Sequence, residues 1–225
     1  MNYYAFGDIH GEFFKLAFLL NKLKIEDDDV LVFLGDYIDR GKMSYEVIEL
    51  LIEISETYNC IFIKGNHEDM FLNYLNGVDQ NGVFIYNGGM MTLQSYNKHG
   101  YNLYPGSDNP VMPFKHVQFF RNLKRYYETE EFIFVHAGIH PGTPLENMPD
   151  DILFWERSFH YMTYDGKTVV FGHTPNQKVL NEKSKICVDT GACFDSMGDL
   201  TCVKLPERTF IRQGWTKEDL DDRDL

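Results

Sequence analysis

The chain lacks the materials of several common protein classes. Its four cysteines, Cys60, Cys187, Cys193 and Cys202, are spread over 225 residues without a CxxC pair. That excludes a disulfide framework or a zinc knuckle as the organising device and leaves them as small apolar filler. No apolar run approaches the roughly 20 residues of a membrane-spanning helix, so no membrane association is expected. Basic side chains are also few: 21 Lys and Arg stand against 34 Asp and Glu, a formal net charge of -13. Broad attraction to nucleic acid or anionic lipid needs clustered Lys and Arg and is not expected either. An anionic substrate is still admissible, because cations and a few arginines can bind phosphate on a negatively charged protein. The opening MNYYAFGDIH enters a strand-like run at once, leaving no room for a basic segment, an apolar stretch and a cleavage site. The expectation is a cytoplasmic protein.

What is present is an alternating pattern. Tyr3 to Phe6, Val30 to Leu34 and Cys60 to Ile63 are short apolar and aromatic runs, each followed within a residue or two by Gly, as buried strands ending in turns are. Between them Leu16, Leu19, Leu20 and Leu23, then Val47, Leu50, Leu51 and Ile54, recur at helical spacing. This order predicts a largely parallel sheet with right-handed crossovers, in which ligands bind beyond the carboxyl ends of the strands. From about Leu75 to Asn122, Gly, Asn and Pro interrupt the pattern and predict short helices and long loops. Further strands are predicted at Phe132 to Val135, Thr168 to Phe171, Lys185 to Val188, Leu200 to Leu205 and Arg208 to Ile211. Several of these follow one another without a helix, which predicts a second, mixed or antiparallel sheet packed on the first. The expected fold is α/β: two mixed sheets packed as a sandwich and flanked by helices. One domain is expected over 1–215, with an insertion at about 75–122 and a charged tail at 216–225.

Polar chemistry gathers at the strand ends, in Asp8, His10, Asp36, Asn66, His136 and His173. Any one of them could cap a helix or line a turn. Together they offer carboxylate, imidazole and amide oxygen, the ligands that hold borderline divalent ions such as manganese, iron or zinc. One carboxylate can bridge two such ions. Two-metal hydrolytic sites hold the ions ~3.5 to 4 Å apart and clamp the attacking and leaving oxygens of an in-line displacement.

The blocks carrying these residues are GDIHG, GDYIDRG, KGNHE, VHAG and GHT, in that order from Gly7 to Thr174. They closely resemble the phosphoprotein phosphatase family of calcineurin-like metallophosphoesterases, in its bacterial and phage branch. The resemblance implies that Asp8 and His10 ligate a first metal, that Asp36 bridges two, and that Asn66, His136 and His173 complete the second. It implies two divalent ions, manganese by expectation, with iron or zinc as alternatives. It further implies a metal-bridging hydroxide attacking in line, His67 as general acid, Asp39 as the carboxylate that orients it, and phosphate contacts from Arg40 and Asn66. Arg157, in FWERS, matches a second phosphate-binding arginine; a surface ion pair with Glu156 or Asp151 is its alternative. Two departures stand out. Many relatives in the wider superfamily have Gly-His-X-His, whereas GHTPN has Asn176 beyond Pro175 and no second histidine, as in the protein-phosphatase branch, and Lys64 stands where an arginine often precedes GNHE.

The expected activity is that of a metal-dependent phosphomonoesterase, a serine/threonine protein phosphatase acting on phosphoproteins or phosphopeptides. One rival is a nucleotide pyrophosphohydrolase resembling the symmetrical diadenosine tetraphosphatases, which tend to carry GNHD and to lack the Asp-Arg ending of GDYIDRG. Asp39, Arg40 and Glu68 favour the protein phosphatase over it. The other rival is a metal-binding scaffold without catalysis, against which the retention of every ligand together with His67, Asp39 and Arg40 speaks. His99, His116, His140 and His160 match no motif and are expected at surface or turn positions. No motif bears on oligomeric state.

Overall fold

The computed structural model describes residues 1–104, 111–194 and 198–214; the tail expected at 216–225 lies outside the described residues. Strands β1 (Tyr3–Phe6), β2 (Val30–Phe33) and β3 (Asn59–Phe62) alternate with helices α1 (Phe13–Asn21), α2 (Ser44–Ser55) and α3 (Asn66–Leu75). The insertion contributes α4 (Met90–Lys98) and α5 (Phe114–Arg121). After it come β4 (Tyr126–Glu128), β5 (Phe132–Val135), α6 (Asp150–Trp155), β6 (Thr168–Phe171), β7 (Leu180–Asn181), β8 (Lys185–Cys187), β9 (Leu200–Leu205) and β10 (Thr209–Gln213). They form two five-stranded sheets, in the orders β10-β9-β1-β2-β3 and β4-β5-β6-β8-β7.

Alternation along the strands sorts side chains into three cores. Tyr3, Ala5, Val32 and Leu34 of the first sheet meet Phe132, Phe134, Val170 and Ile186 of the second, forming the seam between sheets. Tyr4, Phe6, Leu31 and Phe33 point the other way and pack under Leu16, Leu19, Val47 and Leu51 of the helices. Phe6, Phe33 and Phe62 stack across β1, β2 and β3 at centroid separations of 4.5 and 5.3 Å. Contacts of this kind contribute about 0.5–1.5 kcal/mol each beyond area burial. Ile133, Val135, Val169 and Phe171 face Leu153, Phe154 and Phe159 on the outer side of the second sheet.

The last two strands sit elsewhere than the sequence suggests. β9 and β10 extend the first sheet, β9 running antiparallel to β1 with Tyr3 opposite Leu205. β9 is buried along nearly its whole length, and Val203 and Leu205 join the seam while Leu200 and Cys202 face the helices. The second sheet is completed instead by β4 and β7, of three and two residues, too short to leave a periodic signal. Within each sheet the chain-forming order is parallel where it matters: β1–β2, β2–β3, β5–β6 and β6–β8 are parallel pairs. Their carboxyl ends therefore open on a common edge. Among the described residues no helix is long and apolar enough to cross a membrane, and all four cysteines are free.

Candidate active site

Each sequence-predicted ligand leaves the carboxyl end of a strand: Asp8 and His10 after β1, Asp36 after β2, Asn66 after β3, His136 after β5 and His173 after β6. All six are buried. The chain turns sharply to bring them inward, and His10, Asp36, Asp39, Arg40 and His173 all adopt left-handed backbone, with φ between 48° and 72°. Such conformations are strained for side-chain-bearing residues and cluster at functional sites. Two motif glycines have a second reason to be glycine. A Cβ on Gly65 would lie 2.2 Å from Asp36 Oδ1, and one on Gly172 would lie 2.2 Å from Asp8 Oδ1.

The donor atoms converge in two groups, one of His10, Asp36 and His67 and one of Asp36, His136 and His173, each with its ligand atoms within 4.8 Å of one another. Asp36 belongs to both. Asp8 belongs to neither tight group; its carboxylate accepts the His173 backbone N–H at 3.1 and 3.2 Å. Asn66 Oδ1 lies 3.0 Å from His136 Nε2.

The hydrogen-bond chemistry of these groups calls for cations. His10 Nδ1 and His136 Nδ1 lie 2.9 and 2.8 Å from the Ile38 and Leu34 carbonyls, which can only accept. Both rings therefore carry the proton on Nδ1 and aim an Nε2 lone pair into the site. The lone pair of His136 then faces Asn66 Oδ1, Asp36 Oδ1 at 3.4 Å and His173 Nδ1 at 3.1 Å. A proton on His173 Nδ1 would satisfy that last contact, yet it would leave Nε2, which has the Trp155 backbone nearby and no hydrogen-bond partner among the described residues, as a buried lone pair. Neither tautomer satisfies the pair, whereas a divalent ion among these acceptors would.

Charge follows the same logic. Burial, with Asp189 next and Asp36 after it, pushes the Asp8 carboxyl well above the usual range, and burial with Glu68 does so for Asp36. Burial holds His10 and His67 well below the ordinary histidine value, helped by Arg40 and, for His67, by His10. His136 is pushed down to about 3 and His173 to about 2, chiefly by burial. Neutral imidazoles and carboxylates that resist ionisation without a cation are a donor set suited to metal.

Around this centre the remaining predicted residues take distinct places. His67 Nδ1 lies 2.7 Å from Asp39 Oδ2. The Arg40 guanidinium reaches His10 Nε2 at 2.6 Å and His67 Nε2 at 3.0 Å. Arg157 donates to the His173 carbonyl at 3.1 Å, so it borders the site; Glu156 instead pairs with His140. Lys64 pairs with Asp69 at 2.8 Å and lies over the Phe154 ring.

Several participants escaped the sequence reading. Asp189, buried at the end of β8, hydrogen-bonds with Asp8, accepts the Gly191 N–H and is pushed up to about 6 by burial. Its signal was available: VDTG repeats the strand-then-acid-then-glycine pattern of GDIHG. Thr92 of α4 donates to Asp39 Oδ1 at 2.6 Å and accepts the Asp39 N–H at 2.9 Å, a contact across 53 positions that no local pattern announces. His116, expected at a surface or turn position, is instead fully buried in α5 between Tyr96 and Glu49. Glu68 accepts the backbone N–H groups of Asp36, Tyr37 and Gly65. It braces the turn that carries Asp36, so its presence speaks of loop geometry and does not discriminate between substrates.

Comparison with known proteins gives a consistent picture of the family. A family model described as calcineurin-like phosphoesterase matches residues 1–191. A bis(5'-nucleosyl)-tetraphosphatase PrpE, asymmetrical, from Halalkalibacterium halodurans is 24% identical over 94% of this chain and 93% of that protein. The protein of the same name from Bacillus subtilis is 27% identical over 92% of each. Among solved structures, a putative diadenosine tetraphosphatase superposes with a TM-score of 0.73 at 20% identity, covering 96% of this chain and 94% of that one. A Saccharomyces cerevisiae protein serine/threonine phosphatase with similarity to human PP5 superposes with a TM-score of 0.63 at 16% identity, covering 96% and 81%.

Proposed function

The chain belongs to the calcineurin-like phosphoesterase family, and from that premise we propose that it is a metal-dependent hydrolase of dinucleoside polyphosphates. The observation that carries hydrolysis is the pair of donor groups sharing Asp36. The substrate class is supported by similarity along nearly the whole chain to proteins named bis(5'-nucleosyl)-tetraphosphatase. This reverses the order of the two enzymatic readings drawn from the motifs.

In this proposal Asp8 and His10 would hold one divalent ion and Asn66, His136 and His173 a second, with Asp36, common to both donor groups, available to each. Such a pair supplies neutralising charge and lowers the pKa of water toward ~7. Arg40, beside His10 and His67, and Arg157, beside His173, would bind the phosphate oxygens, the guanidinium fork suiting them to it. With Arg40 engaged by phosphate, His67 Nε2 would be free to take a proton from water and pass it to the leaving oxygen while Asp39 holds Nδ1–H. A nucleoside phosphate leaving from an anhydride is weakly basic and needs that proton little. A serine alkoxide needs it fully.

The His67–Asp39 pair is therefore the observation that keeps a second reading, protein phosphatase, in play. Manganese-loaded protein assayed on diadenosine tetraphosphate, a phosphoserine peptide and p-nitrophenyl phosphate decides between them. The proposal expects the highest kcat/KM on the dinucleotide. A tenfold preference for the peptide would reverse it, and no turnover with any divalent metal would remove both.

A further inference from the structure

A cleft of about 390 Å³ opens beside the donor groups, lined by Pro175, Asn176, Gln177, Thr190, Phe194 and Asp199. Its walls are the segments leaving β6 and β8, the same segments that carry His173 and Asp189. They are tied together where the Asn176 N–H donates to the Asp189 carbonyl at 3.1 Å. At the mouth Phe194 leaves 48% of its surface exposed, and the Arg40 guanidinium carbon lies 5.2 Å from its ring centroid. Arg40 in turn touches His10 and His67, so cleft and donor groups are separated by one side chain.

The exposed ring is firmly presented. Lys15 of α1 is fully buried, and its ammonium donates to the carbonyls of Ala192 and Gly198 at 2.7 and 2.6 Å, on either side of Phe194. A buried ammonium is costly unless it is hydrogen-bonded, and here its bonds anchor the loop at two points. Around the ring lie unused polar groups. Gln177 is exposed, and its amide has no hydrogen-bond partner among the described residues. Asn176 donates through Nδ2 to the Thr174 carbonyl at 2.6 Å, leaving Oδ1 to accept.

We propose that this cleft is a nucleoside subsite, with the base stacked on Phe194 and its edge met by the amides of Asn176 and Gln177. The inference rests on the dinucleoside polyphosphate reading and deepens it. A flat apolar ring rimmed by amides matches a nucleobase, which has two faces to stack and an edge to hydrogen-bond. The phenyl group of a phosphotyrosine could use the ring but not the amides. Because the ring lies one guanidinium away from the donor groups, the phosphate next to the ribose falls on Arg40. Water attack at that phosphate breaks its bond to the bridging oxygen, which leaves with the remaining chain, so diadenosine tetraphosphate yields AMP and ATP.

The test compares ADP with inorganic pyrophosphate as competitive inhibitors of p-nitrophenyl phosphate hydrolysis by the manganese-loaded protein. The two differ by the nucleoside, and the expected inhibition constant for ADP is roughly tenfold lower, as one stacked base provides. Phe194→Ala should abolish that difference, and Phe194→Trp should restore it, which separates loss of stacking from misfolding. A difference that survives Phe194→Ala, or a defect confined to phosphotyrosine peptides, would overturn the subsite. Hydrolysis of diadenosine tetraphosphate by the unaltered protein is measured alongside. Its absence with the ADP preference intact would leave the subsite standing and reject the substrate reading.

Discussion

His67 Nδ1 lies 2.7 Å from Asp39 Oδ2, and the other oxygen of that carboxylate accepts Thr92 Oγ1 at 2.6 Å. Asp39 itself is fully buried and pushed well above the usual carboxylate range, above all by burial. The imidazole is thus held in one orientation by a carboxylate that is held by a helix of the insertion. His67→Asn should lower the rate by ~10²- to 10⁴-fold on a phosphoserine peptide and by much less on diadenosine tetraphosphate, whose leaving group is less basic. Equal losses on both would argue against proton donation. Loss of bound metal would instead make His67 a ligand in the group it forms with His10 and Asp36.

Asp36 is shared by both donor groups. Asp36→Asn should therefore reduce the content of both metals after equilibrium dialysis against manganese, measured by elemental analysis. Retention of one full equivalent would show that the two groups bind independently.

Asp189 stands behind Asp8, with which it hydrogen-bonds. Asp189→Asn should weaken metal binding by about 10- to 100-fold, the range typical of groups that orient a ligand. Competition with a chelator measures this, and raised manganese should restore kcat. A kcat that stays low at saturating metal would count against a positioning role.

Lys15 anchors the loop that carries Phe194. Lys15→Met leaves two carbonyls without their donor and should lower stability by about 1–3 kcal/mol. Urea unfolding reads the stability. The ADP preference over pyrophosphate should shrink with it, and an unchanged preference would mean that the loop holds its shape unaided.

His116 is kept neutral below the ordinary histidine value, chiefly because burial disfavours the imidazolium form. Between that lowered value and ~6.5 the unfolded chain binds a proton that the folded chain does not. Its contribution to stability is complete above pH ~6.5 and is lost as pH falls through that window. His10, His67, His136 and His173 are shifted in the same sense, whereas the raised carboxyls of Asp8, Asp36, Asp39 and Asp189 take up protons in the folded chain and oppose them. The His116 share of the slope between pH 7 and pH 5 is therefore read as the difference between variant and parent, both chelated. His116→Gln should flatten part of that slope in urea midpoints, and an unchanged slope would show that His116 does not titrate there.

Much of this protein was legible without coordinates. The runs at Tyr3–Phe6, Phe132–Val135, Thr168–Phe171 and Leu200–Leu205 are strands with the expected ends, because a buried strand must be apolar throughout and must stop at a turn. The strand-end position of Asp8, His10, Asp36, Asn66, His136 and His173 follows from the same rule. Where β9 pairs was not legible, since a strand buried on both faces fits either sheet. Nor was Asp189 singled out, although its turn repeats the pattern of the first.

The order of residues by itself determined which side chains emerge at the carboxyl ends of the strands, because that depends only on local pattern and parallel crossovers. Tertiary structure decided which of them meet. Asp36 falls into two donor groups, Thr92 reaches Asp39 from 53 positions away, and Lys15 secures a loop some 180 residues further along the chain. Those relationships depend on the stagger of two sheets and the packing of an irregular insertion, which arise from volume and hydrogen-bond satisfaction across the whole molecule and leave no period in the sequence.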